Sequence, residues 1–435
     1  MLQREQSGFA LPEIAIPANE RIALNVNRTV RRKLGLAVIS LYEVSLGNPE
    51  QQGIFYHAAV SFRPGDDTPS GTCWVHIDSL TRDSFARSAD FLAIERFESA
   101  LTVGDLAGRP EPFRNPNWFL HVTAWVSKSL RQRGLELSGP FEQFNASPTF
   151  SLIRFETDGR PVWFKAVGEP NIREFRITLA LSRTCPQYLP RVLADHAQWN
   201  AWIADEAAGV PLSAAEFRHW ENAAETLARL QIVALPHAHE LSAAGARDLR
   251  PARLLSLVVP FCEFIAASAL RSDSVEAWPP GNGNWRQLGA AIEDALCQLD
   301  RPELPSTLGH MDLNPENIFC STGACVFLDW AEGFTGCPFF AFEYLVQHFR
   351  RRFAAHGARE KQLRYRYLRP WQRLLEKRDL ERVLTFSPLA ALFAYASTLT
   401  SLIPEGSLTV RQKTYLFGLA RKMYRMTAQE KGVRP

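Results

Sequence analysis

The sequence predicts an α+β protein, and three observations predict it. β-Branched and aromatic runs broken by turn residues crowd the first 206 residues. From residue 213 onward, apolar residues instead recur every three or four positions, the spacing of a helix face. One strand-turn-strand segment interrupts this helical part near residue 320. The chain has 435 residues, 46% of them hydrophobic, and a net charge of only +3. That length allows about three units of ordinary size. The composition excludes a disordered chain or a general nucleic-acid coat.

The longest apolar runs fall short of a bilayer span. Residues 254–270 contain Pro260 and Glu263, and residues 389–403 number 15 between two prolines, against the ~20 a membrane helix needs. The N-terminal MLQREQSGFALPEIAIP has no apolar signal core, and seven cysteines form no C-x-x-C pair. A cytoplasmic location with reduced thiols is the expectation.

The elements follow in order. Residues 1–112 read as a mixed domain with strands at Leu36–Leu46, Ile54–Phe62 and Cys73–Ile77, separated by GNPEQQG and the loop Pro64–Gly71. No nucleotide fingerprint lies there, and His57 and His76 on neighbouring strands are its only metal candidates. GRPEPFRNPN at Gly108–Asn117 marks a boundary. Asn115 and Pro116 then open a helical connector, 113–140, with Trp118, Val122 and Trp125 on one face.

Residues 141–206 form the next unit. Its hairpin joins Thr149–Thr157 to Val162–Val167 across Asp158-Gly159, and Lys165 sits among apolar neighbours in the second strand. Residues 207–435 are mostly helical. Ser213 with Glu216 reads as a capping box ahead of Phe217, Trp220, Ala224 and Leu227, and Leu288, Ile292, Ala295 and Leu299 mark another helix.

The chemistry concentrates in LGHMDLNPENIFCSTGACVFLDWAEG. His310, Asp312 and Asn317 fall in a polar loop, followed by a strand, a turn at 321–324 and a second strand that ends at Asp329. Such a hairpin returns Asp329 towards Asp312 and Asn317. Two carboxylates and an amide oxygen converging on one point suit a hard divalent cation shared with substrate phosphates. In phosphoryl transfer one Asp takes the acceptor's proton, while an Asn and a second Asp hold magnesium. The bland alternative is a pair of loops in which Asp312 and Asn314 merely cap backbone amides.

HMDLNPENIF followed by FLDWAEG resembles the catalytic and metal motifs of the aminoglycoside phosphotransferase/choline kinase-like family, over about residues 140–435. The resemblance implies a two-lobed protein-kinase-like fold, with a small β-rich lobe and a large helical lobe, preceded by an extra domain. It implies Asp312 as the catalytic aspartate with His310 supporting its loop, and Asn317 and Asp329 as magnesium ligands. It further implies Lys165 as the phosphate-contacting lysine with Glu174 as its helix partner, and Asn145 and Ser147 as phosphate-loop contacts. Leu193–Leu212 would supply the strand and hinge that receive adenine. ATP and Mg²⁺ are then the cofactors, and a small-molecule hydroxyl (metabolite, sugar, amino alcohol or aminoglycoside-like) the acceptor. Met311 stands where glycine is commoner, Asn314 where histidine often lies, and the loop 145–149 has no glycine. A kinase-like module that binds nucleotide or metabolite without turnover is the alternative.

Charge constrains the acceptor. Residues 350–435 carry a net +13, whereas residues 207–349 carry −9 and contain no lysine. A polycationic acceptor needs a carboxylate-rich receptor, so the basic C-terminal part favours a neutral, anionic or singly charged metabolite. Three further features carry weaker signals: His237-x-His239, the cysteines Cys320, Cys325 and Cys337 around the motif, and the basic, aromatic stretch Arg364–Val383. That stretch alternates like a solvated helix face, and neither nucleic acid nor membrane is an expected partner.

Overall fold

The computed structural model describes residues 1–5, 8–17, 20–44, 56–61, 71–103, 112–270, 283–353, 357–401 and 409–430. The turn GNPEQQG, most of the loop Pro64–Gly71 and the start of GRPEPFRNPN lie outside the described residues. The chain divides into two compact units, Met1–Phe175 with Val192–Glu206, and Arg176–Arg191 with Ala207–Pro435.

The first unit is built on a five-stranded antiparallel sheet, in the order Leu137–Ala146, Ser151–Thr157, Val162–Ala166, Ala201–Asp205, Val192–His196. Strand periodicity explains which side chains it buries. Ile153, Phe155, Val162, Phe164 and Ala166 point to one face and pack on Trp118, Phe119, Val122 and Val126 of the helix Trp118–Arg131. That helix begins three residues after Asn115, whose side chain instead accepts from the Asn117 N–H at 2.8 Å. Lys165 alternates onto the opposite face, between Leu152 and Trp202.

Packing does not separate residues 1–112 from this sheet, as the sequence reading does. Ile39, Leu41 and Tyr42 of the strand Val38–Val44 belong to the same core as Phe155 and Phe164. The helix Ile22–Leu34 is bonded to the sheet's edge strand, with Asn27 donating to Gln143 at 2.9 Å and Arg28 pairing with Glu142. Gln143, buried, also exchanges two bonds with the Ser40 backbone, at 2.8 and 2.9 Å. The strand expected at Cys73–Ile77 shrinks to Thr72–Cys73 and pairs with Leu2–Glu5, so His76 is not beside His57.

The second unit is helical around one large core in which Trp220, Trp330, Trp371, Phe340 and Phe393 are fully buried. Its helix Phe217–Val233 starts later than the capping-box reading predicts. Ser213 lies in a preceding single turn, and Glu216 is the extended N-cap with no side-chain cap bond. The helix Gly283–Leu299 buries Leu288, Ile292, Ala295 and Leu299 as its spacing predicts.

The helix Lys377–Ser401 is longer than the apolar run of 389–403 indicates. Among the described residues it is the one helix long and apolar enough to cross a membrane, and 61% of that window is buried inside the protein. Two short three-stranded sheets frame the loop that carries His310 and Asp312. Thr307–His310 pairs with Gly333–Gly336, and Ile318–Ser321 pairs with Ala324–Phe327.

Candidate active site

The loop is positioned from its first residue. Gly309 precedes His310 on the strand Thr307–His310, and a Cβ there would lie 2.0 Å from the Phe334 ring, so the close approach of that ring requires glycine. Phe334 in turn sets the strand, and the strand delivers His310 into a fully buried position.

The imidazole bonds at both nitrogens. Its Nδ1 accepts from the Asp312 N–H at 3.1 Å, and Nε2 lies 3.0 Å from the Leu328 carbonyl. A nitrogen that accepts from an N–H carries no proton, so Nε2 is the protonated one and donates to Leu328. Burial pushes the pKa of His310 down, against the pull of the Leu328 carbonyl and nearby Asp312 and Asp329. A neutral His310 therefore ties the backbone of Asp312 to the residue before Asp329.

Asp312 is held by donors around it. Its Oδ1 accepts from Asn314 Nδ2 at 3.2 Å and from the Tyr344 hydroxyl at 3.3 Å. Asn317 Nδ2 donates to the Asp312 carbonyl at 3.0 Å and lies 3.4 Å from Oδ2. Asn314 also caps the turn Pro315–Asn317 by accepting from the Glu316 N–H at 2.9 Å. The capping role of Asn314 and the gathering of polar groups on Asp312 thus occur together.

The hairpin closes the set. Ile318 pairs with Phe327, and just beyond that rung the Leu328 N–H donates to the Asn317 carbonyl at 2.8 Å. Asn317 and Asp329 are therefore brought side by side at the open end of the ladder. Asp329 has φ 63° and ψ 61°, the left-handed region that a non-glycine residue enters at a cost of roughly 1–2 kcal/mol. Strain of this sort persists where the surroundings over-determine it, here the buried Trp330 and the His310–Leu328 bond.

The residues present fit a hard cation. Asn317 donates its amide N–H groups to Asp312, which leaves its amide oxygen able to face a metal beside the Asp329 carboxylate. Among the described residues no three His, Cys, Asp or Glu side chains converge as a full protein cage. Magnesium commonly takes one or two protein oxygens and completes its octahedron with phosphates and water.

In the first unit Lys165 and Glu174 meet. Glu174 lies in the first turn of the helix Arg173–Thr184, and the Lys165 ammonium donates to its Oε1 at 2.5 Å. The pair is largely buried, with side chains 15% and 3% exposed, and the ammonium lies 5.8 Å from the Trp202 ring centre. A nine-residue separation suffices because one short loop leads from the strand straight into the helix. Asn145 sits on the edge strand, where its Oδ1 accepts from Arg21 at 2.9 Å. Ser147 Oγ closes the adjoining turn, accepting from the Phe150 N–H at 2.9 Å and the Thr149 N–H at 3.3 Å.

The weaker candidates resolve differently. His237 lies 3.8 Å from Glu240, and no metal cluster forms around His239 among the described residues. Cys320 and Cys325 are buried partners across the hairpin, and Cys337 is buried elsewhere in the core. The basic stretch from Arg364 pairs three of its cations with acids of neighbouring helices, while Arg373, Lys377 and Arg378 stay exposed. Arg364 binds Glu343 and Glu360, Arg366 and Arg369 bind Glu225, and Tyr367 and Trp371 are fully buried. Tyr344 escaped the sequence reading. It stands 32 residues from Asp312, in a helix whose pattern marks only a core face.

The loop and hairpin thus gather Asp312, Asn317 and a left-handed Asp329 at one end of a short ladder. No family model and no curated protein matches the chain by sequence. Among solved structures it is similar to small-molecule kinases and phosphotransferases. A choline kinase from Cryptosporidium parvum Iowa II has a TM-score of 0.48 and 10% identity, covering 73% of this chain and 98% of that one. A choline/ethanolamine kinase family protein from Mesorhizobium loti has 0.46 and 13%, covering 70% and 94%. A macrolide 2'-phosphotransferase from Brachybacterium faecium has 0.45 and 14%, covering 68% and 97%. Likenesses of this size carry no inference about what the chain does.

Proposed function

We propose that the chain is a phosphotransferase that moves the γ-phosphoryl group of ATP to a hydroxyl of a small molecule, with Mg²⁺. The observation that supports this most is the oriented Asp312 carboxylate with Asn317 and Asp329 beside it. Asp312 accepts the hydroxyl proton as the acceptor oxygen bonds to phosphorus and the bond to the departing ADP oxygen breaks. Asn314 and Tyr344 hold the carboxylate so that its basic oxygen does not rotate away.

Asn317 and Asp329 hold the magnesium, which when bound neutralises phosphate charge. Lys165, fixed by Glu174, is the proposed contact to nucleotide phosphate. His310 is a positioning residue that acts through Asp312 and Leu328. Little covalent chemistry is asked of the protein, and most of the acceleration comes from alignment.

One observation favours a second reading, a module that binds nucleotide without turnover. The glycine-free tip after Asn145 uses its polar groups internally, on Arg21 and on its own turn. One experiment separates the two. ADP formation is measured across a panel of hydroxylated compounds with Mg²⁺, with nucleotide binding followed by thermal shift. Acceptor-dependent turnover that Asp312→Asn lowers by about 10²–10⁴ supports the phosphotransferase. Nucleotide binding with no turnover that depends on Asp312 supports the silent module.

A further inference from the structure

A surface built by three helices starts at Asp312. The helix Phe339–Arg352 carries Tyr344, Gln347, His348 and Arg351 at spacings of three and four, one face of the helix. Tyr344 bonds to Asp312, and the His348 ring stands 5.0 Å beyond it. Tyr395 of the helix Lys377–Ser401 lies 5.4 Å from the Tyr344 ring. Tyr415 of the helix Val410–Glu430 donates to the Tyr395 hydroxyl at 3.3 Å. From that last helix Lys422 reaches across and donates to the amide oxygen of Gln347.

Cations gather at the end of this surface away from Asp312. Lys422 is half-buried, yet its partner is an amide rather than a carboxylate. Burial lowers its pKa, and nearby Arg350 and Arg351 lower it further. Burial and Arg351 also lower His348. The nearest acids are already matched, Glu343 by Arg364 and Glu360 by Arg350 and Arg364. Neither Arg351 nor Lys422 is ion-paired among the described residues. A cation held half-buried without a counter-charge costs stability unless an anion joins it. Among the described residues only Glu343 and Glu225 pair with this region from outside it, so most of the +13 of residues 350–435 remains, and Arg351 and Lys422 place part of it beside Tyr344, Gln347 and His348.

We propose that the hydroxyl compound phosphorylated at Asp312 is a small anion, whose carboxylate or phosphate group binds Lys422 and Arg351 while its carbon skeleton lies on Tyr344 and Tyr395. This rests on the phosphotransferase reading above. Asp312 repels an anion placed against it, so the anionic group sits at the far end of the molecule from the reacting hydroxyl, along the face from Tyr344 to Arg351.

The test reads binding separately from turnover. Glucuronate, glucose 6-phosphate, glucose and glucosamine share a hydroxylated ring and differ in charge. Their affinities for the full chain are measured by calorimetry, and ADP formation from Mg·ATP is followed in parallel. One or both anions should bind at least about tenfold tighter than glucose or glucosamine, the worth of a hydrogen bond to a charged group. The arm that binds tells carboxylate from phosphate.

Lys422→Gln and Arg351→Gln should each weaken that anion about tenfold and leave glucose unaffected, with Lys422→Arg restoring much of it. Lys413→Gln, exposed on the same helix as Lys422, should change nothing. Equal affinity across the panel, a preference for glucosamine, or no anion binding overturns the proposal. Anion binding that needs Lys422 but comes with no ADP formation removes the phosphotransferase reading and leaves the anion site. ADP formation with glucosamine and not with the anions does the reverse.

Discussion

Two polar turns at the ends of paired strands are held in opposite ways. The loop 310–317 is fixed mostly by residues within about twenty positions of itself: His310 to Leu328, Asn314 and Asn317 to Asp312, Leu328 to Asn317. The tip near Asn145 depends on Arg21, 124 positions away, and its strand on Asn27 and Ser40, more than 100 positions away. The loop's bonds form with its own hairpin, whereas the edge strand beside the tip is also tied to a distant helix and strand, although the turn at Ser147 is closed locally by the Phe150 and Thr149 N–H groups. Chemistry that needs sub-ångström alignment belongs on the first kind of support.

The largest test of this contrast is Asp312→Asn. It should lower acceptor-dependent ADP formation by about 10²–10⁴ while leaving the unfolding midpoint in urea nearly unchanged, since the amide can keep the bonds from Asn314 and Tyr344 to its oxygen. Lys165→Met comes next. It strands the buried Glu174 carboxylate and should cost about 3–5 kcal/mol in urea unfolding, with Lys165→Met/Glu174→Gln recovering much of that.

His310→Ala follows. It removes two buried hydrogen bonds and leaves a cavity, so a loss of roughly 2–4 kcal/mol is expected, together with lower turnover at unchanged nucleotide affinity. Arg21→Ala is the smallest. An exposed contact to a neutral amide oxygen should contribute only about 0.5–1.5 kcal/mol, and turnover should move less than about twofold if the tip does not bind phosphate. A loss of turnover as large as that of Asp312→Asn would show that the tip, and not the loop, governs the reaction.

The same contrast sets what could be read from sequence. His310, Asp312, Asn317 and Asp329 stood out because a loop, a two-strand hairpin and its turn are encoded within twenty residues, and strand pairing places them without help from elsewhere. The hairpin around Lys165 was legible for the same reason, its alternation showing which side chains face the core. Tyr344, Tyr395 and Lys422 were not legible, because helix packing makes their contacts across 32 to 75 positions and no local pattern marks it.

The bonds of the front segment to Gln143 and Glu142 were not legible, because they span more than 100 positions. Charge counted along the chain also does not show which cations are paired. Arg364, Arg366 and Arg369 face Glu343, Glu360 and Glu225 in the folded protein.

The hairpin between Asn317 and Asp329 has a practical consequence. Its rungs run from Ile318–Phe327 to Ser321–Ala324, and the exposed Thr322 and Gly323 lie beyond the last of them. The gap between Asn317 and Asp329 is set at the opposite end of the ladder from its tip. Extra residues spliced in at 322–323, a dye-bearing loop for example, should leave that gap intact. A single residue added inside either strand would turn every side chain beyond it to the other face. The molecule thus carries, a few residues from Asn317 and Asp329, a handle by which it can be labelled and watched.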